Sequence, residues 1–240
     1  MKKDTVYSSP HDHVNAFQFD AQVADVFGNM INRSVPGYAL MLDMLGVFTQ
    51  RYAREKTNCY DLGCSLGAST LKMRHHLPPS CHVVGIDNAP AMVERCRANI
   101  ARDHSEATVE ILEQDAEETV FDNASIVAMN FTLQFIADDK RMPLLTRIAD
   151  SMIDGGAFIM SEKISFDDDA EQSFMTDLHH EFKKYQGYSD LEIAQKRAAL
   201  ENVLVPNTAE LHIERLRRAG FSTARMCIQC LNFATFLAIR

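Results

Sequence analysis

No run of this chain approaches the roughly 20 apolar residues that a membrane-spanning helix requires, so the sequence is not expected to enter a bilayer. An excess of basic residues is also missing. With 24 Lys and Arg against 33 Asp and Glu, the net charge is −9. That argues against non-specific binding to nucleic acid, which relies on a basic surface, and leaves a small cationic ligand possible. The stretch MKKDTVYSSPHDH has two lysines but no apolar run after them, so no secretory signal is expected. Internal repeats and low-complexity tracts are absent. Six cysteines (59, 64, 81, 96, 227, 230) fall mostly within apolar runs. They fit buried free thiols of a cytosolic protein better than a disulfide framework. Cys227 and Cys230 form a C-x-x-C, but no second pair offers zinc its other ligands and the motif does not open a helix. His179-His180-Glu181 lacks the H-E-x-x-H spacing, so no metal is expected.

What is present is a globular pattern of one domain, residues 1–240, long enough to bury a full core. Residues 1–19 are polar and irregular and read as a mobile arm. Helical spacing of apolar residues marks Ala21 to Met30 and Gly37 to Tyr52, with Pro36 at a first helical position. Residues 1–54 are thus an arm and two helices placed as a lid over the remainder of the chain. From Thr57 strands and helices alternate. Strands are expected at Cys59–Leu62, Cys81–Ile86, Thr108–Leu112, Ser125–Met129 and Ala157–Met160. Helices are expected at Ala68–His76, Pro90–Ile100 and Asp138–Met152, with a turn at Gly155-Gly156. Such alternation implies an α/β fold, a doubly wound and mostly parallel seven-stranded sheet. Residues 163–206 break the rhythm and read as a helical insertion after strand 5, contributing substrate or partner contacts. Asp167-Asp168-Asp169 suits a helix start. A helix at Thr208–Ala219 ends at Gly220. Phe221–Cys227 and Phe233–Ile239 lie too close for a crossover, so they form a C-terminal antiparallel hairpin.

Chemistry concentrates in Tyr60-Asp61-Leu62-Gly63-Cys64-Ser65-Leu66-Gly67 and in Gly85-Ile86-Asp87-Asn88. Glycines after a strand let backbone N–H groups approach a ligand, and an acid ending the next strand can grip both ribose hydroxyls. The spacing is not the G-x-G-x-x-G of dinucleotide sites. Asp61, two residues before the first glycine, favours a ligand with a positively charged amino group over a pyrophosphate. After strand 4 comes Asn130-Phe131-Thr132-Leu133-Gln134-Phe135, with no adjacent His or Glu to serve as general base. These residues alone leave open methyl transfer to a reactive nucleophile, other cofactor chemistry, and a non-catalytic carrier.

Over about residues 55–240 the chain resembles the class I S-adenosylmethionine-dependent methyltransferases. That resemblance implies cofactor contacts from Gly63, Cys64, Ser65, Asp87 and Asn88. It also implies an adenine site at Asp115 and Ala116, and Asn130 beneath the methionine and sulfonium portion. A closer likeness is carried by Arg33-Ser34-Val35-Pro36-Gly37-Tyr38, the two cofactor stretches, Asn130 to Phe135, and Gln195-Lys196-Arg197. These segments resemble the carboxy-S-adenosyl-L-methionine synthases, bacterial enzymes of tRNA wobble-uridine modification, nearly end to end.

This second resemblance implies that S-adenosylmethionine and prephenate give carboxy-S-adenosylmethionine and phenylpyruvate. Carbon dioxide from prephenate would be captured by a sulfonium ylide, and prephenate's departing hydroxyl would take the methyl proton. It also implies that Tyr38 contacts the ligand from the lid, and that Arg197 grips the new carboxylate with its bidentate fork. Arg197 would arrive from the partner subunit of a cytoplasmic homodimer. The product would pass to a separate tRNA-modifying enzyme, so no direct nucleic-acid contact is expected.

Overall fold

A computed structural model of the chain describes residues 2–10, 13–201 and 203–240. Its strands are β1 (Asn58–Leu62), β2 (His82–Asp87), β3 (Thr108–Glu113), β4 (Ala124–Asn130), β5 (Met152–Ser165), β6 (Asn207–Thr208), β7 (Thr223–Cys230) and β8 (Phe233–Ile239). Its helices are α1 (Ala21–Ser34), α2 (Tyr38–Tyr52), α3 (Ala68–Arg74), α4 (Pro90–Ile100), α5 (Asp138–Ser151), α6 (Asp169–Tyr185), α7 (Asp190–Leu200) and α8 (Ala209–Arg218). The main path runs β3-β2-β1-β4-β5-β8-β7. The first five strands on it are parallel, and β8 and β7 close it antiparallel. The expected seven-stranded doubly wound sheet is therefore present, and the two-residue β6 pairs beside it with β5 at Ile164 and Ser165.

Period-two alternation gives the sheet two apolar faces. Cys59, Ile126, Ala128 and Ile159 point to one, where Leu45 and Phe48 of α2 and Met73 of α3 cover them. Leu62, Val127, Met129 and Phe158 point to the other, packed with Leu144 and Ile148 of α5 and Leu216 of α8. Strand order reverses between β1 and β4, the position at which open α/β sheets hold ligands beyond their carboxyl ends. Among the described residues no helix is long and apolar enough to cross a membrane.

The structure corrects several expectations. The α2 helix is not a lid, because its apolar stripe packs on the sheet as a core helix. Its first turn still reaches the ligand side, where Tyr38, Ala39 and Leu42 line the cavity beside α1. Pro36 sits in the turn before α2, where Gly37 (φ +80°) is the N-cap. The arm is docked, not mobile, where it is described. Asp4 is 1% exposed, Phe17 packs with Val23 and Met30, and Gln195 Nε2 donates to the carbonyls of Tyr7 and Ser9 at 2.9 Å each. Met1, His11 and Asp12 of the arm, and Asn202 of the insertion, lie outside the described residues. Gly155-Gly156 is a bulge inside β5, not a turn before it. Met152 pairs with Ala124 and Ala157 with Ile126, so five positions span two. The chain's final residue completes the pairing, with Gly155 N bonded to Arg240 O at 3.1 Å. The hairpin turns at Leu231-Asn232, later than the expected strand ends, so Cys227 and Cys230 both lie in β7 as free thiols. Asp168 does cap α6, accepting from Glu171 N at 2.8 Å.

Candidate active site

Beyond the carboxyl ends of β1 to β5 lies a cavity of about 520 Å³. Its floor begins with the glycine turn. Gly63 adopts φ +75°, and a Cβ there would lie 2.1 Å from Thr132 Oγ1, so only glycine lets β1 leave the sheet so close to the β4 loop. The N–H groups of Gly63, Cys64 and Ser65 are not directed to a ligand as the sequence suggests. Gly63 N and Cys64 N both donate to Ile86 O, at 2.8 and 2.9 Å. Ser65 N donates to Asp87 Oδ2 at 2.8 Å. The turn instead provides a surface without large side chains, with Gly63, Cys64 and Ser65 on the cavity wall.

Asp87 ends β2, and its two oxygens accept from Ser65 N and from Ala89 N at 2.9 Å. Those bonds fix the carboxylate while burial raises its pKa. Asn88 Nδ2 donates to Asp115 Oδ1 at 2.6 Å, joining the ends of β2 and β3. Ala116 follows on the same wall. Asn130 ends β4. Its Nδ2 donates to Ser69 Oγ at 3.0 Å, while Oδ1 is buried with no hydrogen-bond partner among the described residues. An orphaned buried acceptor is unfavourable unless a ligand donor completes it. A fixed carboxylate, an uncluttered turn and an orphaned acceptor thus stand side by side at the ends of β2, β1 and β4. Asp61 is absent from this wall. It lies under the floor, accepting from Thr70 Oγ1 at 2.6 Å, with burial pushing its pKa to about 7.

Tyr38 enters the cavity from the Val35-Pro36-Gly37 turn, and burial raises its phenol pKa to about 12. Its ring starts a row of aromatic contacts that sequence reading missed. Tyr38 meets Phe131 at 6.5 Å, Phe131 meets Phe233 at 6.0 Å, and Phe233 meets His179 at 5.0 Å between ring centroids. Phe131 has φ +59°, a strained setting for an aromatic residue. Its N–H donates to Ser161 O at 2.6 Å. The following turn is anchored on buried Glu162, whose oxygens accept from Leu133 N and Gln134 N at 2.9 and 3.0 Å. His179 Nε2 bonds to Ser34 O at 2.8 Å, and burial lowers its pKa to about 3. The imidazole is therefore neutral and only weakly basic.

Lid and insertion form one clasp at the end of α1. Arg33 donates to Gln186 O at 2.8 Å and stacks 3.8 Å over Tyr188, and Lys196 Nζ donates to Ser34 Oγ at 3.1 Å. Arg197, on the same helix as Lys196, is exposed and stands outside the cavity wall of its own chain. Among the described residues no cluster of His, Cys, Asp or Glu is disposed to hold a metal.

A family model described as a methyltransferase domain matches residues 59–156. A carboxy-S-adenosyl-L-methionine synthase of Hahella chejuensis is 57% identical over 244 residues, covering 99% of this chain and 98% of that protein. One from Citrifermentans bemidjiense is 46% identical, covering 100% and 99%. This chain belongs to the carboxy-S-adenosyl-L-methionine synthase family. Among solved structures, an O-methyltransferase of Nostoc punctiforme superposes with a TM-score of 0.64 at 14% identity, over 92% of this chain and 59% of that one. That likeness establishes the fold alone. The synthase motifs map onto the cavity with a division of labour. Gly63, Asp87 and Asn130 lie on the cavity floor, and Ser34, Val35, Tyr38 and Lys196 line it from the side of the clasp.

Proposed function

We propose that this protein converts S-adenosylmethionine and prephenate into carboxy-S-adenosylmethionine, phenylpyruvate and water. Prephenate loses carbon dioxide and hydroxide as its ring becomes aromatic. The sulfonium methyl group gains the carbon dioxide and loses a proton, which combines with the hydroxide. The observation that carries this reading is the cavity wall beyond Asn130. It is aromatic and cationic, with Tyr38, Phe131, Phe233, His179, Lys163 and Lys183, and among the described residues it contributes no carboxylate. The phenol of Tyr38 is too weak an acid, and the imidazole of His179 too weak a base, to take a methyl proton readily. A co-substrate that supplies its own base fits such a wall.

Asp87 holds the ribose, Asp115 and Ala116 the adenine, and Gly63, Cys64, Ser65 and Asn88 line the path between them. Asn130 Oδ1 faces the methionine end, and Tyr38 closes over the ligand. Arg197 reaches the carboxylate of the product from the partner subunit of a homodimer. Its exposed position on α7 suits such a delivery. The enzyme acts in the cytoplasm, and its product passes to a separate enzyme that carboxymethylates tRNA wobble uridine.

Mass spectrometry of the small molecule retained by the purified protein tests this reading. A species heavier than S-adenosylmethionine by the mass of one carbon dioxide supports it. Only S-adenosylmethionine or its demethylated form would favour an ordinary methyltransferase.

A further inference from the structure

Along the carboxyl edge of the sheet, from β3 to β5, the side chains change sign. Asp115 follows β3, Asp87 ends β2, Gly63 follows β1, Asn130 ends β4, and Lys163 lies near the end of β5. Lys183 from α6 and Lys196 from α7 join Lys163 on the same wall. The cavity therefore has an acidic nucleoside end and a cationic end. Three strand spacings, about 14 Å, separate β2 from β5.

The two helical lysines are only 9% and 8% exposed. Among the described residues none of the three lysines forms a salt bridge. Lys196 has the Ser34 hydroxyl and, 5.9 Å away, the Tyr188 ring. Asp4 raises the pKa of Lys196 from a distance, but its carboxylate bonds Tyr188 and Val6. Withdrawing an unpaired ammonium from water is strongly unfavourable. Here burial lowers the pKa of all three, with added repulsion from Arg197 on Lys163, from Lys196 and Lys163 on Lys183, and from Arg33 on Lys196. A neutral ligand would leave that arrangement unrelieved. Two carboxylates entering together would offset it.

We propose that Lys163, Lys183 and Lys196 seat the carboxylates of the second substrate, a compact dicarboxylate, on the side of Asn130 remote from the ribose. This rests on the reading of the site as a synthase acting on prephenate. The Phe131 and Phe233 rings give that substrate's cyclohexadiene ring an apolar floor.

Lys183→Met and Lys196→Met replace each ammonium with an apolar chain of similar reach, so both variants are expected to fold, and Lys183→Met, which breaks no clasp bond, to melt no lower than the parent protein. Steady-state turnover, with prephenate varied at saturating S-adenosylmethionine, then reads the subsite. Each variant should raise the KM for prephenate at least about tenfold, the loss of one charge-assisted contact. The Kd for S-adenosylmethionine should stay within about twofold, and Lys183→Arg should recover part of the loss. An unchanged KM for prephenate in folded variants would overturn the subsite. So would weakened binding of S-adenosylmethionine or of its carboxylated product by the same factor, which would assign the lysines to the cofactor. If the parent protein itself fails to consume prephenate, the synthase reading falls instead.

Discussion

The backbone N–H of Ser65 meets Asp87 Oδ2 at 2.8 Å, bonding the turn after β1 to the acid that ends β2. One carboxylate thus holds the glycine turn in place from the cavity wall, where the proposed function seats the ribose. Turn and acid form one unit, so damage to the acid also loosens the floor.

Replacing Asp87 with Ala should weaken S-adenosylmethionine and carboxy-S-adenosylmethionine by the same factor, about ten- to hundredfold. Both carry the same ribose. Calorimetric titration with each ligand checks this, and a loss confined to one would refute the ribose assignment.

Gly63→Ala places a Cβ 2.1 Å from Thr132 Oγ1 at a φ of +75°. The Thr132 hydroxyl bonds the Leu62 carbonyl at 2.9 Å, so it does not yield freely. A loss of about 1–3 kcal/mol in urea unfolding is expected. Adding Thr132→Ala should relieve the clash and leave the backbone strain. A single variant as stable as the parent would show that the turn re-forms without glycine.

Arg197→Ala should weaken the carboxylated ligand at least about tenfold more than S-adenosylmethionine, since only the former has the carboxylate that the guanidinium reads. Equal losses, or none, would remove Arg197 from the site.

The lysine end should respond to pH. Burial and repulsion from Lys196 on α7 and Lys163 on β5 bring Lys183 down to about 7, and burial brings Lys196 to about 8. His179, next to Lys183 on α6, stays neutral because its own pKa is lowered to about 3. The ammonium charge therefore fades as pH rises through 7 to 8, and the KM for a dicarboxylate should climb over that interval. The ligand-free protein should show the opposite trend in stability. An unfolded chain keeps its lysines protonated up to their ordinary pKa, so above about 7 it binds more protons than the folded state and stability rises with pH. A KM flat from about pH 6 to about pH 9 would contradict the lysine assignment.

The βαβ rhythm is legible in the chain because each strand end carries its own punctuation. Gly63 and Gly67 flank the first turn and Pro90 opens α4, so the nucleoside half of the site can be read locally. The cationic half cannot. Lys163, Lys183 and Lys196 come from three elements, and only the docking of α6 and α7 on α1 brings them together. Lys196 stands beside Arg197 in one short segment, yet nothing local tells the buried ammonium from the exposed guanidinium. The apolar stripe of α2 shows that a helix buries one face but not which partner it meets, so position in the chain suggests a lid where the fold makes a sheet-covering helix. Asp61 misleads for the opposite reason. An acid before a glycine turn suggests a ligand contact, but the pleat sends its side chain under the floor to Thr70.

The most direct test of the central claim is product stoichiometry with S-adenosylmethionine labelled on its methyl carbon and with unlabelled prephenate. Over many turnovers, each phenylpyruvate released should match one carboxy-S-adenosylmethionine carrying the label at the carbon next to sulfur. Label appearing on a methylated acceptor, or phenylpyruvate forming without carboxylated cofactor, would contradict the account.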